Sequence, residues 1–188
     1  MNGIKSEVKA SIRPAETRDI ESVSLLYEKI HEEEEAGRLC VGWQRDVYPV
    51  RRTAEAALLR GDLFVMERDG QLLAAAIINH LQPDGYELGP WQHPASSDRV
   101  MVLHTLAVDP AFAGQGCGKK FVAFYEAFSM AHGCPFLRMD TNADNLAARA
   151  LYRKLGYNEV AIVPTVFNGI AGVSLVLLEK KLPTEDYA

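Results

Sequence analysis

Apolar residues recur along the chain at two periods. Ile20, Val23, Leu26, Tyr27 and Ile30 repeat at three- and four-residue steps, which predicts a helix with one buried stripe. Thr17 or Asp19 stands where an oxygen side chain can cap its first free amides, and Glu32–Glu35 and Gly37 end it. Arg52–Arg60 reads as a second, short helix. Strand-like runs occupy Ser11–Ala15, Leu63–Met66, Leu72–Ile78, Val100–Val108, Phe136–Thr141, Tyr157–Val163 and Val173–Glu179. Asp69-Gly70 between two of them predicts a hairpin whose turn residues both take positive φ, and Asn168-Gly169 marks the last turn. Phe121, Val122, Phe124, Tyr125 and Phe128 predict a third helix, and Asn145–Leu155 a fourth with Gly156 as its C-cap. Arg38–Val50 and Leu81–Asp98 have no regular period and read as loops. The order β-α-α-β-β-β-α-β-α-β-β, without repeats or linkers, predicts one α/β domain on a mixed sheet.

Composition narrows this modestly. The 188 residues are 48% hydrophobic and 24% charged, which excludes a disordered chain and gives a core that needs no disulfide or metal staple. Twenty Lys and Arg against 25 Asp and Glu leave a net charge of −5, which argues against nucleic acid as a partner. The same acidity leans towards basic or neutral ligands. Glu32–Glu35 is either a solvated helix end or a cation-attracting rim. Cys40, Cys117 and Cys134 are an odd count at unrelated spacings, which suggests reduced thiols in a cytoplasm. The longest apolar run, Leu72–Ile78, is far shorter than the ~20 residues of a membrane helix, and no secretory signal is evident. The five histidines lack metal-ligand spacing, so no metal is expected.

The segment Val108-Asp109-Pro110-Ala111-Phe112-Ala113-Gly114-Gln115-Gly116-Cys117-Gly118-Lys119-Lys120 links a strand to a helix. Gly114, Gly116 and Gly118 leave backbone amides uncovered at a helix N-terminus, where the helix dipole is positive. Such amides suit a diphosphate, and Lys119 and Lys120 add charge. A P-loop would need Gly at Ala113 and Ser or Thr at Lys120, and a Rossmann loop would need Gly at Lys119. Neither fits.

The sequence resembles the GCN5-related N-acetyltransferase superfamily in two places. Leu106-Ala107-Val108-Asp109-Pro110 followed by Gly114-Gln115-Gly116-Cys117-Gly118 is similar to that family's strand-and-loop signature. Asn145, Ala148, Leu151, Tyr152, Gly156 and Tyr157 match the fixed positions of its downstream helix motif. The resemblance spans about Ser11 to Lys180. It implies a domain over residues 11–182, with tails at 1–10 and 183–188. Its sheet would be mixed and mostly antiparallel, with seven strands and four flanking helices, splayed between the fourth and fifth strands. It implies acetyl-coenzyme A as donor, with its pyrophosphate on the amides of Ala113, Gly114, Gln115, Gly116, Cys117, Gly118 and Lys119. The pantetheine arm would lie along Leu106, Ala107 and Val108 and be held by Asn145. Ala113 departs from the family's Arg or Gln. That position mainly offers its amide, so coenzyme binding is expected to survive.

The implied reaction is direct attack of a primary amine on the thioester in a ternary complex. Strand amides near Leu106 can stabilise the oxyanion. The resemblance makes Tyr152 the general acid towards the departing thiolate. His104, two residues before Leu106, is expected on the same strand face, near the thioester, as the base. Asp140 and Glu87 are further candidate bases. Trp43, Tyr48, Tyr86, Trp91 and His93 fall in the segments that form the family's acceptor side. The acceptor is open between a small amine and a protein amino group, and a homodimer would be ordinary for the family. Three other readings remain: a GNAT-fold enzyme with another acyl donor or a hydroxyl acceptor, a non-catalytic acyl-CoA-binding module, and an unrelated phosphate-binding domain.

Overall fold

The strand patterns resolve into a single seven-stranded sheet in the computed structural model, which describes residues 10–183. The expected tails at 1–10 and 183–188 therefore lie, apart from Ala10 and Pro183, outside the described residues. β1 (Ser11–Pro14), β2 (Leu63–Arg68), β3 (Gln71–Asn79) and β4 (Val100–Val108) pair antiparallel in turn. β4 is parallel to β5 (Phe136–Asn142), and the order closes as β5, β7 (Ile170–Lys181), β6 (Asn158–Phe167). A parallel pair needs a crossover, and α3 (Cys117–Ala131) provides it. The hairpin turns are as expected. Asp69 and Gly70 have φ of 53° and 74°, Asn168 and Gly169 of 50° and 84°.

Helices cover both faces. On one, α1 (Ile20–Glu35) and α2 (Arg51–Arg60) bury Val23, Leu26, Tyr27, Ile30, Ala54 and Ala57 over Val65, Ala75 and Ile77. The two alanines let α2 sit close to its neighbours. On the other, α3 and α4 (Leu146–Lys154) pack Phe121, Tyr125 and Tyr152 over Met101, Leu103, Leu137 and Met139. Towards β7 the first face is covered by the irregular 80–99 segment, whose Tyr86 packs with Val100, Val102 and Leu177. Asp19 does not cap α1 with its side chain. Its carboxylate instead pairs with Arg13 at 2.7 and 2.9 Å and accepts from the Glu16 amide, tying β1 to the helix start. The Arg13 bonds hold that carboxyl below its usual range.

Two irregularities at the centre of the sheet position everything that follows. Ala75 pairs with Ala107 and Ile77 with His104, so β4 takes three steps where β3 takes two. The extra residue is a bulge at Thr105, whose φ is 49°. It also shifts the side-chain alternation. Leu106 packs against the α3–α4 face, whereas His104 pairs with Ile77, which belongs to the α1–α2 face. The expectation that His104 and Leu106 share a face is thus corrected, because it assumed an unbroken period of two. The second irregularity is the parting of β4 and β5. Their pairing runs from Val100–Phe136 to Leu103–Met139 and stops there. β5 continues on β7 to Asn142, and β4 continues on β3 to Val108. The edge of β4 facing β5 is therefore unpaired from His104 onward.

Candidate active site

The wedge between the parted strands is a cleft. Its apex is formed by the first residues beyond the shared pairing, His104 on β4 and Asp140 on β5, and both line it. Asn145 lines it from the N-cap of α4 and Tyr152 from within that helix, Trp43 and Tyr48 from the 38–50 segment, and Phe167 and Ile170 from the ends of β6 and β7.

Asp140 is the unusual group. The Tyr86 hydroxyl donates to its Oδ2 at 2.9 Å, and Oδ1 holds no hydrogen bond among the described residues. No Lys or Arg pairs with it there either. Arg138, two residues earlier on β5, turns to Gln82 and stacks its guanidinium 4.1 Å from the centre of the Trp91 ring. Burial pushes the Asp140 carboxyl up to about 7, and the bond from Tyr86 acts in the opposite direction. Its charge in turn reaches three phenols on three different segments, Tyr48, Tyr86 and Tyr152. Each is pushed upward mainly by burial and secondarily by Asp140, except that at Tyr48 the bond to Thr105 ranks above Asp140 and opposes the rise. Tyr152 is 6% exposed and its hydroxyl has no hydrogen-bond partner among the described residues, so it stays protonated and free to donate into the cleft. Tyr48, pushed up to about 12, shares a hydrogen bond with the bulge residue Thr105.

His104 is held by a chain of polar contacts. Asp62 accepts from the Asn79 amide nitrogen at 2.7 Å. Asn79 Oδ1 accepts from the Leu81 amide and lies 2.9 Å from His104 Nε2. A carboxylate cannot donate, so the orientation of Asn79 is fixed, and with it the proton on Nε2. Nδ1 carries the lone pair. Burial pushes the imidazole down to about 4, against the opposing charge of Asp62.

The glycine-rich loop sits at the N-terminus of α3. Gly114 and Gly116 have φ of 75° and 79°, and a Cβ on either would meet nothing within 4 Å. Glycine is needed here for backbone shape, and the space around it is open. Gly118 differs, because a Cβ there would stand 3.1 Å from Leu151, so its role is close packing of α3 on α4. Lys120 bonds back to Gly116, and helix geometry leaves the amides of Cys117, Gly118 and Lys119 without an intrahelical acceptor. The expectation that Ala113 and Gln115 offer theirs is corrected, because the turn preceding the helix engages them with the Pro110 and Phe112 carbonyls at 3.1 and 3.3 Å. Buried Asp109 pins the loop's start through Lys29 at 2.6 Å and the Ala111 amide at 2.9 Å. Outward amides at a positive helix end, beside an unpaired strand edge from His104 to Val108, fit a diphosphate followed by an amide-bearing arm. Asn145 caps α4 by accepting from the Ala148 amide, and it also lines the cleft.

Of the acceptor-side aromatics expected from sequence, the structure brings Trp43 and Tyr48 into the cleft wall. Tyr86 reaches it through the hydroxyl bonded to Asp140. Trp91 does not line it. Its indole donates to the Tyr86 carbonyl and stacks on Arg138, so it supports the wall from behind. Glu87 accepts from the Gly85 amide and lies outside the cleft, and His93 packs near Phe136. The acidic run is solvent-exposed at Glu32 and Glu35, as a solvated helix end, but most of it is paired rather than a free rim. Glu33 pairs with Arg38, Glu35 with Arg45, and Glu34 accepts from the Val41 and Gly42 amides at 2.6 and 2.9 Å. Glu34 thereby clamps the cleft wall. Gly42 fits tightly there, since a Cβ would stand 2.2 Å from the Asn142 side chain. Sequence reasoning missed Asn79, Asp62, Gly42 and Phe167, because each gains its meaning from partners far along the chain.

Comparison with known proteins agrees with this geometry. The model of the acetyltransferase (GNAT) family matches residues 23–157, and the chain belongs to that family. It is 27% identical over 141 residues to the uncharacterized N-acetyltransferase YesJ of Bacillus subtilis, covering 75% of this chain and 71% of the relative. It is 37% identical to the N-alpha-acetyltransferase RimI of Mycobacterium tuberculosis over 60 residues, which is 32% of this chain and 36% of that one. Among solved structures, a GNAT acetyltransferase from Streptococcus agalactiae matches with a TM-score of 0.76 at 26% identity, covering 93% of this chain and 96% of that one. The yncA protein of Salmonella typhimurium, solved with its cofactor acetyl-CoA, shares the fold with a TM-score of 0.66 at 19% identity, covering 95% of this chain and 96% of that one. Among the described residues no helix is long and apolar enough to cross a membrane.

Proposed function

We propose that the protein transfers the acetyl group of acetyl-CoA to a primary amine by direct attack in a ternary complex. The observation that carries this reading is the pairing of an open strand edge with an open helix N-terminus at one cleft, where Tyr152 offers an unpartnered hydroxyl. The amides of Gly114 and of Gly116 to Lys119 would hold the pyrophosphate, and Leu106, Ala107, Val108 and Asn145 the pantetheine arm. Acetyl-CoA is the donor substrate and supplies the activated thioester.

Tyr152 serves as proton donor to the leaving thiolate. Burial keeps its proton in place until a stronger base appears beside it. His104 lines the acceptor side as a neutral imidazole, oriented by Asn79. Trp43 and Tyr48 present ring surface to an aliphatic or cationic acceptor. Small amines and peptide amino groups both suit such a wall. The RimI relative is named for N-alpha-acetylation, which puts a peptide amino terminus among the acceptors to try.

Thermal unfolding with and without acetyl-CoA tests donor binding. Ligand at one hundred times its dissociation constant stabilises by about 2.7 kcal/mol, or roughly 5–10 °C for a chain of this size. An upward shift of that order is the expected result. No shift at millimolar acetyl-CoA would overturn the assignment of the donor.

A further inference from the structure

We propose that Asp140 receives the acceptor as an ammonium ion and takes its proton before attack. This deepens the function proposed above and rests on it. Three features of the cleft support it. The carboxyl stands at the apex of the strand splay, where the thioester and amine must meet. Oδ2 is fixed by Tyr86, while Oδ1 is left without a partner. No cation of the chain neutralises it among the described residues, since Arg138 is engaged with Gln82 and Trp91. A buried carboxylate without a counter-charge is costly, and an incoming ammonium supplies one. The rings of Trp43 and Tyr48 in the same wall favour a cation as well.

The groups facing Asp140 come from several elements. Tyr48 belongs to the 38–50 segment, Tyr86 to the 80–99 segment, Tyr152 to α4 and His104 to β4, while β7 sets Leu177 opposite it. None of them brings a fixed positive charge. His104 is the competing base, and its lone pair belongs to an imidazole held near 4, which is a weak acceptor for an ammonium proton. Asp140 titrates near 7, close to the pH at which a base is most effective.

The protons balance as follows. The ammonium gives one proton to Asp140 and becomes a neutral amine. Its nitrogen lone pair forms the C–N bond with the acetyl carbon, and the C–S bond breaks. Tyr152 protonates the departing sulfur and is restored by the remaining excess proton on the new amide nitrogen. Asp140 releases its proton to solvent after the products leave.

The test is the pH dependence of kcat/KM. Phenethylamine, spermidine and a short peptide with a free amino terminus are offered with saturating acetyl-CoA, and the fastest acceptor is carried forward. In the wild type kcat/KM rises through about pH 7, as Asp140 ionises, to a plateau. Asp140→Asn should lose ~100-fold or more at neutral pH, the usual range for a general base. Its remaining rate should climb steadily towards the amine's own pKa. Tyr86→Phe removes a bond that stabilises the carboxylate, so its rise should move to higher pH, a displacement that misfolding alone does not produce. His104→Gln should leave the midpoint in place. A wild-type rise that persists unchanged in Asp140→Asn, or one abolished by His104→Gln, overturns this inference while leaving the transferase reading intact. Absence of transfer from the wild type to all three amines overturns both.

Discussion

Replacing Asp140 by asparagine should change how stability depends on pH. In the unfolded chain this carboxyl titrates near 3.8, and in the folded protein burial raises it to about 7. Between those values the folded state holds a proton that the unfolded chain has lost. The stabilisation linked to that proton is full below 3.8 and is gone once pH has risen through 7. From pH 5, where the folded protein holds the proton, to pH 8, where it has lost it, the difference amounts to the two units between pH 5 and the folded value, each worth about 1.36 kcal/mol, or ~2.7 kcal/mol in all. At about 2–4 °C per kcal/mol this amounts to roughly 5–11 °C in Tm. Asparagine keeps the acceptor for Tyr86 and carries no charge, so its Tm lacks this term. The measurement is Tm of both proteins from pH 5 to pH 8, read as a difference. Carboxylates such as Asp19 and Glu159, held below their usual range by Arg13 and Arg149, destabilise both proteins alike in acid and cancel. The asparagine variant should gain on the wild type by that amount as pH rises. Parallel curves across the range would refute the claim that Asp140 is buried without a counter-charge.

Other substitutions probe the remaining parts. Tyr152→Phe should lower kcat by ~100-fold while the Kd for acetyl-CoA, measured by calorimetry, stays nearly unchanged. Gly116→Ala forces a Cβ into a left-handed conformation at φ 79° and should cost about 1–2 kcal/mol of stability by denaturant unfolding, with weaker acetyl-CoA binding. Glu34→Ala frees the Val41 and Gly42 amides, which should raise KM for the acceptor several-fold and leave the acetyl-CoA Kd alone.

Local features were legible in the sequence. The α1 stripe, the Asp69-Gly70 turn and the glycines before α3 each depend on neighbours a few residues away, and each stands where its pattern put it. The parity of β4 was not legible, because nothing in Leu103-His104-Thr105-Leu106 signals that Thr105 adopts a positive φ. That one residue moves His104 to the other face and lets Tyr48 bond to the bulge. The clamping role of the acidic run was hidden for a related reason. Its partners Arg38 and Arg45 are near in sequence, but the backbone amides that Glu34 accepts from become available only when the 38–45 segment folds back. Asp140 was visible as a candidate base. Its weight comes from Tyr86, far earlier in the chain, and from a strand splay that pairing alone reveals.

Acetyl transfer itself tests the central claim most directly. Wild-type protein, acetyl-CoA and each primary amine would be incubated together, and free coenzyme A and acetylated amine quantified by mass spectrometry. That readout avoids thiol reagents, which the exposed Cys40 would also consume. Equal amounts of the two products, formed only when protein, donor and amine are all present, is the expected result. Bound acetyl-CoA with no acetylated product from any primary amine would contradict it.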